Sequence, residues 1–264
     1  MRTDRKIVFF DIDGTIFELE KGTPDSTREA LRLLKEQGHI PVLCTGRPMP
    51  SLFPEILDLG FPGIIGGAGS YIAYEGKVIR NMILNHELVK RTVPRMEAID
   101  CSVVLEGPEY LSYRGEGKAL HFYRVLGRLH REYPDRVKEM EPETDEACKI
   151  SARLGDPEAF NAMIPELQKD FSVVRYQSFP FVEMMPAGIN KADGIRVLIE
   201  YLKIPRTNTY AFGDGPNDLE MLQYVQYGTA MGNSEESVLK TAKYKTEGIW
   251  EDGIYLGLKR YGLI

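Results

Sequence analysis

Three clusters of polar residues follow short apolar runs in this chain. Asp11-Ile12-Asp13-Gly14-Thr15 follows Ile7–Phe10, Thr45-Gly46-Arg47 follows Ile40–Cys44, and Gly213-Asp214-Gly215-Pro216-Asn217-Asp218 follows Thr209–Phe212. Asp11 and Asp13 are two apart, so in extended backbone their side chains point the same way. Two carboxylates held that close repel one another unless a cation or a proton intervenes. Asp214 and Asp218 add more negative charge. Oxygen-only ligands with spare water positions suit Mg²⁺. A zinc alternative has no basis, because His39, His86, His121 and His130 are scattered and Cys44, Cys101 and Cys148 form no C-x-x-C pair. Thr45 and its neighbouring amides are donors for an anion, and Lys191 adds a mobile positive charge. A divalent cation, a carboxylate nucleophile and convergent donors together fit phosphoryl transfer better than any other reaction class.

Each signal has a bland reading when taken alone. Asp-x-Asp-Gly can open a calcium loop, but that loop needs glycine at its sixth position and glutamate at its twelfth. Counting from Asp11 gives Ile16 and Gly22. Gly213-Asp214 alone reads equally well as a surface turn. Lys191 alone reads as an exposed lysine at a helix end. The glycines of Gly66–Gly69 match neither phosphate-loop pattern and read as a structural loop. What raises the set above chance is its joint occurrence, in order, after apolar runs or at a helix start.

The elements that must position these residues are legible from periodicity. Ile7–Phe10, Ile40–Cys44 and Gly63–Gly66 read as short buried strands. Ser26 with Glu29 reads as a capping box opening a helix that Gly38 ends. A proline-interrupted helical stretch spans residues 48–57. Strand, helix, strand, helix, strand predicts a parallel sheet with covering helices. Tyr71–Tyr74 and Val78–Arg80 flank Glu75-Gly76-Lys77 as a hairpin. From 82 to 186 the pattern changes to helices over 87–99, 120–131 and 157–169 with strands over 102–105, 149–154, 172–176 and 181–185. Its aromatics (Tyr110, Tyr113, Phe122, Tyr123, Tyr176, Phe179, Phe181) read as core rather than substrate contacts. His121 and Glu183 stand out as polar residues able to face a substrate. The parallel pattern then resumes with a helix over 191–202, a strand over 209–212, a helix over 218–225, a strand over 228–231, and helices over 235–242 and 252–260. In an open parallel sheet ligands bind at the carboxyl ends of the strands, so neighbouring strands would bring all three polar clusters to one crevice.

Bulk properties narrow the partners. The chain has 264 residues, 43% hydrophobic and 27% charged, with net charge -6 and pI about 5.4. This composition is that of a folded globular protein. The acidic balance gives no encouragement for nucleic acid or anionic membrane. The cysteines read as reduced core thiols, and no apolar run is long enough for a signal peptide or membrane span. The expectation is a cytoplasmic protein acting on a small molecule, monomer or homodimer.

Asp11–Thr15, Thr45–Arg47, Lys191 and Gly213–Asp218 resemble, in order, the four motifs of the haloacid dehalogenase (HAD) superfamily. Pro186-Ala187-Gly188-Ile189-Asn190-Lys191, Ala230-Met231-Gly232-Asn233-Ser234 and Glu251-Asp252-Gly253-Ile254 are similar to the Cof-type sugar-phosphatase branch. One departure is Gly66-Gly67-Ala68-Gly69-Ser70, where such proteins often read Asn-Gly-Ala. The resemblance implies an α/β, Rossmann-like parallel-sheet core over 1–81 and 187–264, with an inserted α/β cap domain over 82–186 and hinges near 82 and 186. It implies that Asp11 attacks phosphorus and that Asp13 protonates the leaving group and then activates water. It gives Mg²⁺ to the Asp11 and Asp214 carboxylates and the Asp13 carbonyl. It gives phosphoryl oxygens to Thr45 and Gly46, charge neutralisation to Lys191, and orientation of metal shell and lysine to Asn217 and Asp218. The implied function is a Mg²⁺-dependent phosphatase of small phosphomonoesters such as sugar phosphates. Alternatives are a phosphomutase of the same superfamily and a catalytically silent phosphate-binding module.

Overall fold

The structure is a computed structural model that describes residues 5–114, 123–176 and 179–264. By its internal packing the chain divides into two units. Unit 1 holds residues up to Gly46, Phe53–Arg80 and Asn190–Ile264, and unit 2 holds Arg47–Leu52 and Asn81–Ile189.

Unit 1 is built on an eight-stranded sheet in the order β14-β13-β12-β1-β2-β3-β4-β5. Its central strands are β1 (Ile7–Phe10), β2 (Ile40–Cys44), β3 (Gly63–Gly66) and β12 (Thr209–Gly213), with β13 (Tyr227–Ala230) and β14 (Tyr244–Lys245) at one edge. From β14 to β3 every pairing is parallel. Strands β1, β2 and β12 are buried along their whole lengths, as expected of strands covered by helices on both faces. The other edge is the expected hairpin of β4 (Tyr71–Tyr74) and β5 (Lys77–Asn81), with β4 antiparallel to β3. Glu75 and Gly76 both have positive φ, 47° and 77°, the two-residue turn whose twist matches the flanking strands.

One sheet face packs Ile7, Phe9, Val42 and Ile65 against Ile195, Leu198 and Ile199 of α6 (Lys191–Leu202) and Met221 and Leu222 of α7 (Leu219–Tyr224). Gly194 allows α6 to approach β3: a Cβ there would lie 2.6 Å from Ile65. Elsewhere in the unit Phe10 stacks on Phe212 at 5.6 Å, α8 (Glu236–Thr241) follows β13, and α1 (Asp25–Glu36) lies beside α9 (Gly253–Arg260). The helix α1 starts two residues earlier than the capping box predicts. Pro24 occupies the N-cap and no side chain caps it. Ser26 is therefore inside the first turn, and Glu29 pairs with Arg32 instead. The stretch expected to be helical over 48–57 is a 3₁₀ turn at Met49–Ser51, a break at Leu52 and Phe53, and α2 (Pro54–Leu57).

Unit 2 contains a six-stranded sheet in the order β10-β11-β9-β6-β7-β8. Its strands are β6 (Ser102–Glu106), β7 (Leu111–Tyr113), β8 (Val137–Glu139), β9 (Lys149–Arg153), β10 (Phe171–Arg175) and β11 (Phe181–Pro186). Strands β7 and β8, three residues each, were not expected from the sequence. The helix α3 (His86–Glu97) and the helix α5 (Pro157–Leu167) cover one face through Val89, Val93, Met96, Phe160 and Leu167, which meet Val103, Leu105, Ile150, Ala152, Val182 and Met184. The helix α4 covers Arg124–Glu132. The expected helical start at 120–122, with His121 and Phe122, lies outside the described residues. Of the aromatics expected in the core, Tyr113 and Phe181 are buried, Tyr110, Tyr123 and Tyr176 are half-buried, and Phe179 is exposed. The short segment Arg47–Leu52 packs within this unit, where Arg136 donates from Nη1 to the Pro50 and Leu52 carbonyls at 3.2 and 3.3 Å.

Candidate active site

The strand order decides how the polar clusters meet. Strands β12, β1 and β2 are parallel neighbours, with Phe10 opposite both Phe212 and Leu43. Asp11, Cys44–Thr45 and Gly213–Asp214 therefore leave the carboxyl ends of three adjacent strands at one level. Neighbouring strands lie about 4.8 Å apart, which puts the three clusters within reach of one another. The Asp11 amide donates to the Phe212 carbonyl at 3.0 Å, holding the Asp11–Thr15 loop to β12. Thr45 is buried, and its amide donates to the Ile65 carbonyl at 2.8 Å.

Lys191 is the centre of the site. It is the first residue of α6, and the bland reading of an exposed helix-end lysine is wrong: its relative exposure is 0%. Its Nζ lies 2.5 Å from Asp11 Oδ1 and 2.6 Å from Asp218 Oδ1. Burial opposes the charge, but Asp11 and Asp218 more than offset it and hold the ammonium above its ordinary pKa. The helix start is fixed by the Asn190 side chain, which accepts from the Asp193 amide at 2.9 Å. Arg80 locks the next part of the turn, pairing with Asp193 at 2.5 Å and donating to the Gly69 carbonyl at 3.2 Å.

Asp11, Asp214 and Asp218 each offer a carboxylate oxygen, and these oxygens all lie within 4.8 Å of one another. Burial pushes the Asp11 carboxyl up to about 7; Lys191 pulls it down, while Asp218 and Asp13 push it further up. Asp214 is likewise raised well above the carboxylate range, first by burial and then by the charges of Asp11 and Asp218. Three carboxylates facing a single ammonium leave an excess of negative charge that a divalent cation would relieve. The donor set is hard oxygen throughout, which suits such a cation.

The three carboxylates are not equivalent as ligands. Asp218 is fully committed: Oδ1 takes Lys191, and Oδ2 accepts from the amides of Asp214 and Gly215 at 2.9 and 3.0 Å. Its place is to brace the lysine and the loop. Asp214 accepts at Oδ1 from the Thr15 hydroxyl at 2.9 Å, and Asp11 shares Oδ1 with Lys191. These two are the carboxylates suited to hold a metal. The loop is built for close approach. Gly14 has φ +78°, and a Cβ there would lie 2.3 Å from Asp214 Oδ2. A Cβ on Gly213 would meet Asp218 Cγ at 2.5 Å.

Asp13 departs from the extended geometry expected of it. The chain leaves the strand after Phe10 and turns, with the Gly14 amide donating to the Phe17 carbonyl at 3.0 Å. The Asp13 side chain is exposed while Asp11 is buried, although Asp13 is close enough to raise the Asp11 pKa. Asn217 lies half-buried on the 3₁₀ turn Pro216–Asp218 that also carries Asp218. Gly46 is buried at the end of unit 1, and Arg47 belongs by packing to unit 2.

Two site residues had no role assigned from sequence. Thr15 fixes Asp214, and Asn233 donates from Nδ2 to the Gly14 carbonyl at 2.8 Å while its Oδ1 accepts from the Ile249 amide at 2.9 Å. Asn233 thus ties the glycine turn after Asp13 to the segment around Ile249. The Asn-Ser pair after β13 was visible as a motif, but its partner was not.

The chain matches the family described as haloacid dehalogenase-like hydrolase over residues 8–258. It belongs to the HAD superfamily. Within it the chain is a Cof-type member. YkrA of Bacillus subtilis (strain 168) is 32% identical over 262 residues, 99% of each chain. The 5-amino-6-(5-phospho-D-ribitylamino)uracil phosphatase YitU of the same organism is 28% identical over 278 residues, again 99% of each chain. The HAD subclass IIB sugar phosphatase BT4131 is similar in structure, with a TM-score of 0.85 and 28% identity over 98% of this chain and 100% of that one. The chain is a phosphoric monoester hydrolase of this superfamily, whose phosphatases use a metal ion. No helix among the described residues is long and apolar enough to cross a membrane.

Proposed function

We propose that this HAD phosphatase hydrolyses small, polyhydroxylated phosphomonoesters such as sugar phosphates, in a Mg²⁺-dependent reaction through an aspartyl phosphate on Asp11. The observation that carries the reading is the buried Asp11–Lys191–Asp218 arrangement beside Asp214, at the carboxyl ends of three neighbouring strands. An oxygen of the Asp11 carboxylate forms a bond to phosphorus as the ester P–O bond breaks. Asp13 delivers a proton to the departing alkoxide. Water then attacks the same phosphorus, Asp13 takes its proton, and the acyl–phosphate bond breaks to release inorganic phosphate and restore Asp11. The exposed position of Asp13 suits a group that exchanges protons with solvent and leaving group. Lys191 neutralises charge between nucleophile and phosphoryl group, and Thr45 with the Gly46 amide binds phosphoryl oxygens. Asp11 and Asp214, with the Asp13 carbonyl, would hold Mg²⁺, which when bound offsets phosphoryl charge. Asn217 helps Asp218 to keep metal shell and lysine in place.

The substrate class draws support from the relatives' names, one a sugar phosphatase and one acting on a ribityl phosphate. The inserted unit would act as the cap that selects the leaving group.

The test is phosphate release from a panel of phosphomonoesters with and without Mg²⁺. Wild type should release phosphate only with the metal, and Asp11→Asn should lose about a thousandfold or more in kcat/KM, as expected for removal of a covalent nucleophile. An Asp11→Asn protein with near wild-type turnover would sink the mechanism. Positional isomerisation without phosphate release would point to a mutase.

A further inference from the structure

The turn that follows β1 is anchored unevenly. From within, the Thr15, Ile16 and Phe17 amides donate to the Ile12 carbonyl at 2.9–3.2 Å, and the Gly14 amide donates to the Phe17 carbonyl at 3.0 Å. Ile12, Ile16 and Phe17 are buried, whereas Asp13 is exposed and Gly14 half-buried. Core packing therefore sets the apolar side of the turn and leaves the direction of Asp13 to other contacts. Gly14 gives the turn its left-handed φ of +78° but, without a side chain, adds no stiffness of its own. Two side chains tether the turn to the rest of unit 1. Thr15 donates from its hydroxyl to Asp214 Oδ1 at 2.9 Å, and Asn233 donates from Nδ2 to the Gly14 carbonyl at 2.8 Å. The second tether acts one residue beyond Asp13.

Asn233 reaches Gly14 from a seat with anchors of its own. The Met231 amide donates to the Gly213 carbonyl at 3.0 Å and the Glu235 amide to the Asp214 carbonyl at 3.2 Å, so the residues after β13 are tied to the end of β12. The Gly232 amide donates to the Glu247 carbonyl at 3.1 Å, and a Cβ on Gly232 would lie 2.7 Å from the Gly248 nitrogen. From that segment the Ile249 amide donates to Asn233 Oδ1 at 2.9 Å, and Glu251 Oε2 accepts from the Gly248 amide at 3.1 Å. Both ends of the Asn233 amide are engaged, and their partners fix its orientation: the acceptor faces an N–H and the donor faces a carbonyl. Holding an exposed side chain in one rotamer costs conformational entropy. What that ordering fixes is the backbone beside Asp13.

We propose that Asn233 is a positioning residue for Asp13, setting through the Gly14 carbonyl the direction from which the Asp13 carboxyl meets the leaving-group oxygen. This rests on the role of Asp13 in the reaction proposed above, where its proton passes to the departing oxygen as the ester P–O bond breaks. A shift of about 1 Å in a catalytic group is enough to remove most of the ~10²-fold or more that a placed acid supplies. Asn233 touches neither ester nor phosphorus in this role; it acts only through the turn.

Leaving-group basicity isolates the effect. Phenyl phosphate and para-nitrophenyl phosphate are close in shape, but phenolate is much the stronger base and depends more on receiving a proton as it leaves. Asn233→Asp is isosteric, keeps the acceptor for the Ile249 amide and sets an oxygen against the Gly14 carbonyl. Asn233→Ala removes both contacts without adding charge. Asn233 is exposed, so neither change opens the core. With Mg²⁺ present, each variant should lower kcat/KM for phenyl phosphate about tenfold more than for para-nitrophenyl phosphate, a part of what general acid catalysis contributes. Asp13→Asn, which has no proton to give, should show the same bias more strongly. A merely structural Asn233 would lower Tm and depress both esters in the same proportion. That outcome overturns the inference, as does a variant that matches wild type on both esters. If one variant does not fold, the other decides. An Asp13→Asn protein without the bias is a separate failure: it sinks the acid role of Asp13, and the inference with it.

Discussion

Asp11 carries two demands that pull its pKa in opposite directions. In the proposed reaction it must be ionised to attack, yet burial lifts it from 3.8 to about 7, and only Lys191 among its named neighbours works against that lift. The consequence for stability has a definite sign. Between those two values the folded protein binds a proton that the unfolded chain has lost, so stability falls as pH rises through the window. In metal-free protein, Tm followed from pH 4 to pH 7 should therefore decline, and Asp11→Asn should flatten the decline by removing the titrating group. An Asp11→Asn profile parallel to wild type would assign the slope elsewhere. Cys44 lies at the end of β2, and its thiol is pushed up by burial. It is an inert core side chain, in keeping with the burial of Cys44, Cys101 and Cys148.

At the scale of elements, the lysine depends on how α6 begins. Asn190 caps the helix, Arg80 grips Asp193, and Gly194 lets the helix close on β3. Replacing Asn190 with alanine should cost about 1 kcal/mol of stability, the usual value of an N-cap side chain. Because the cap sets the first turn, kcat should fall with it while the mutant remains folded. Thermal unfolding and steady-state kinetics on Asn190→Ala check both; a loss of Tm with unchanged kcat would show that the cap does not position Lys191. The tight 3₁₀ turn before α7 does similar work for Asp218, whose Oδ2 accepts two amides of its own turn. Local hydrogen bonds of this kind make the carboxylate a fixed brace rather than a mobile ligand.

For the molecule as a whole, the net charge of -6 says little about a site that takes an anion. What matters is the local excess of carboxylate in the site and the cation that would relieve it. A ligand bound only by the folded chain stabilises it by mass action, about 2.7 kcal/mol at a hundred times Kd. Adding Mg²⁺ should raise the Tm of the full chain, and Asp214→Asn should abolish most of that rise, independently of any turnover. A Tm unmoved by Mg²⁺ in wild type would count against metal binding at Asp11 and Asp214.

The sequence by itself determined most of the strands and helices and offered the candidate chemical residues. Those depend on local signals: apolar runs four or five residues long, polar punctuation after them, and turn residues such as Glu75-Gly76. Strands too short for periodicity escaped it. Strands β7, β8 and β14 are two or three residues long and exist because a neighbour pairs with them. The tertiary structure alone decided who meets whom. Lys191 reaches Asp11 across 180 residues of chain, Asn233 reaches Gly14 across 219, and Thr15 reaches Asp214 across 199. It also decided that Lys191 is buried, that Asp13 is exposed while Asp11 is buried, and that Glu106, Lys149 and Glu183 share one sheet face. Burial and partnership are set by register and strand order, which sum contacts over the whole chain. A residue type at a spacing states what chemistry is available, and the fold states which charges must be offset by which neighbours.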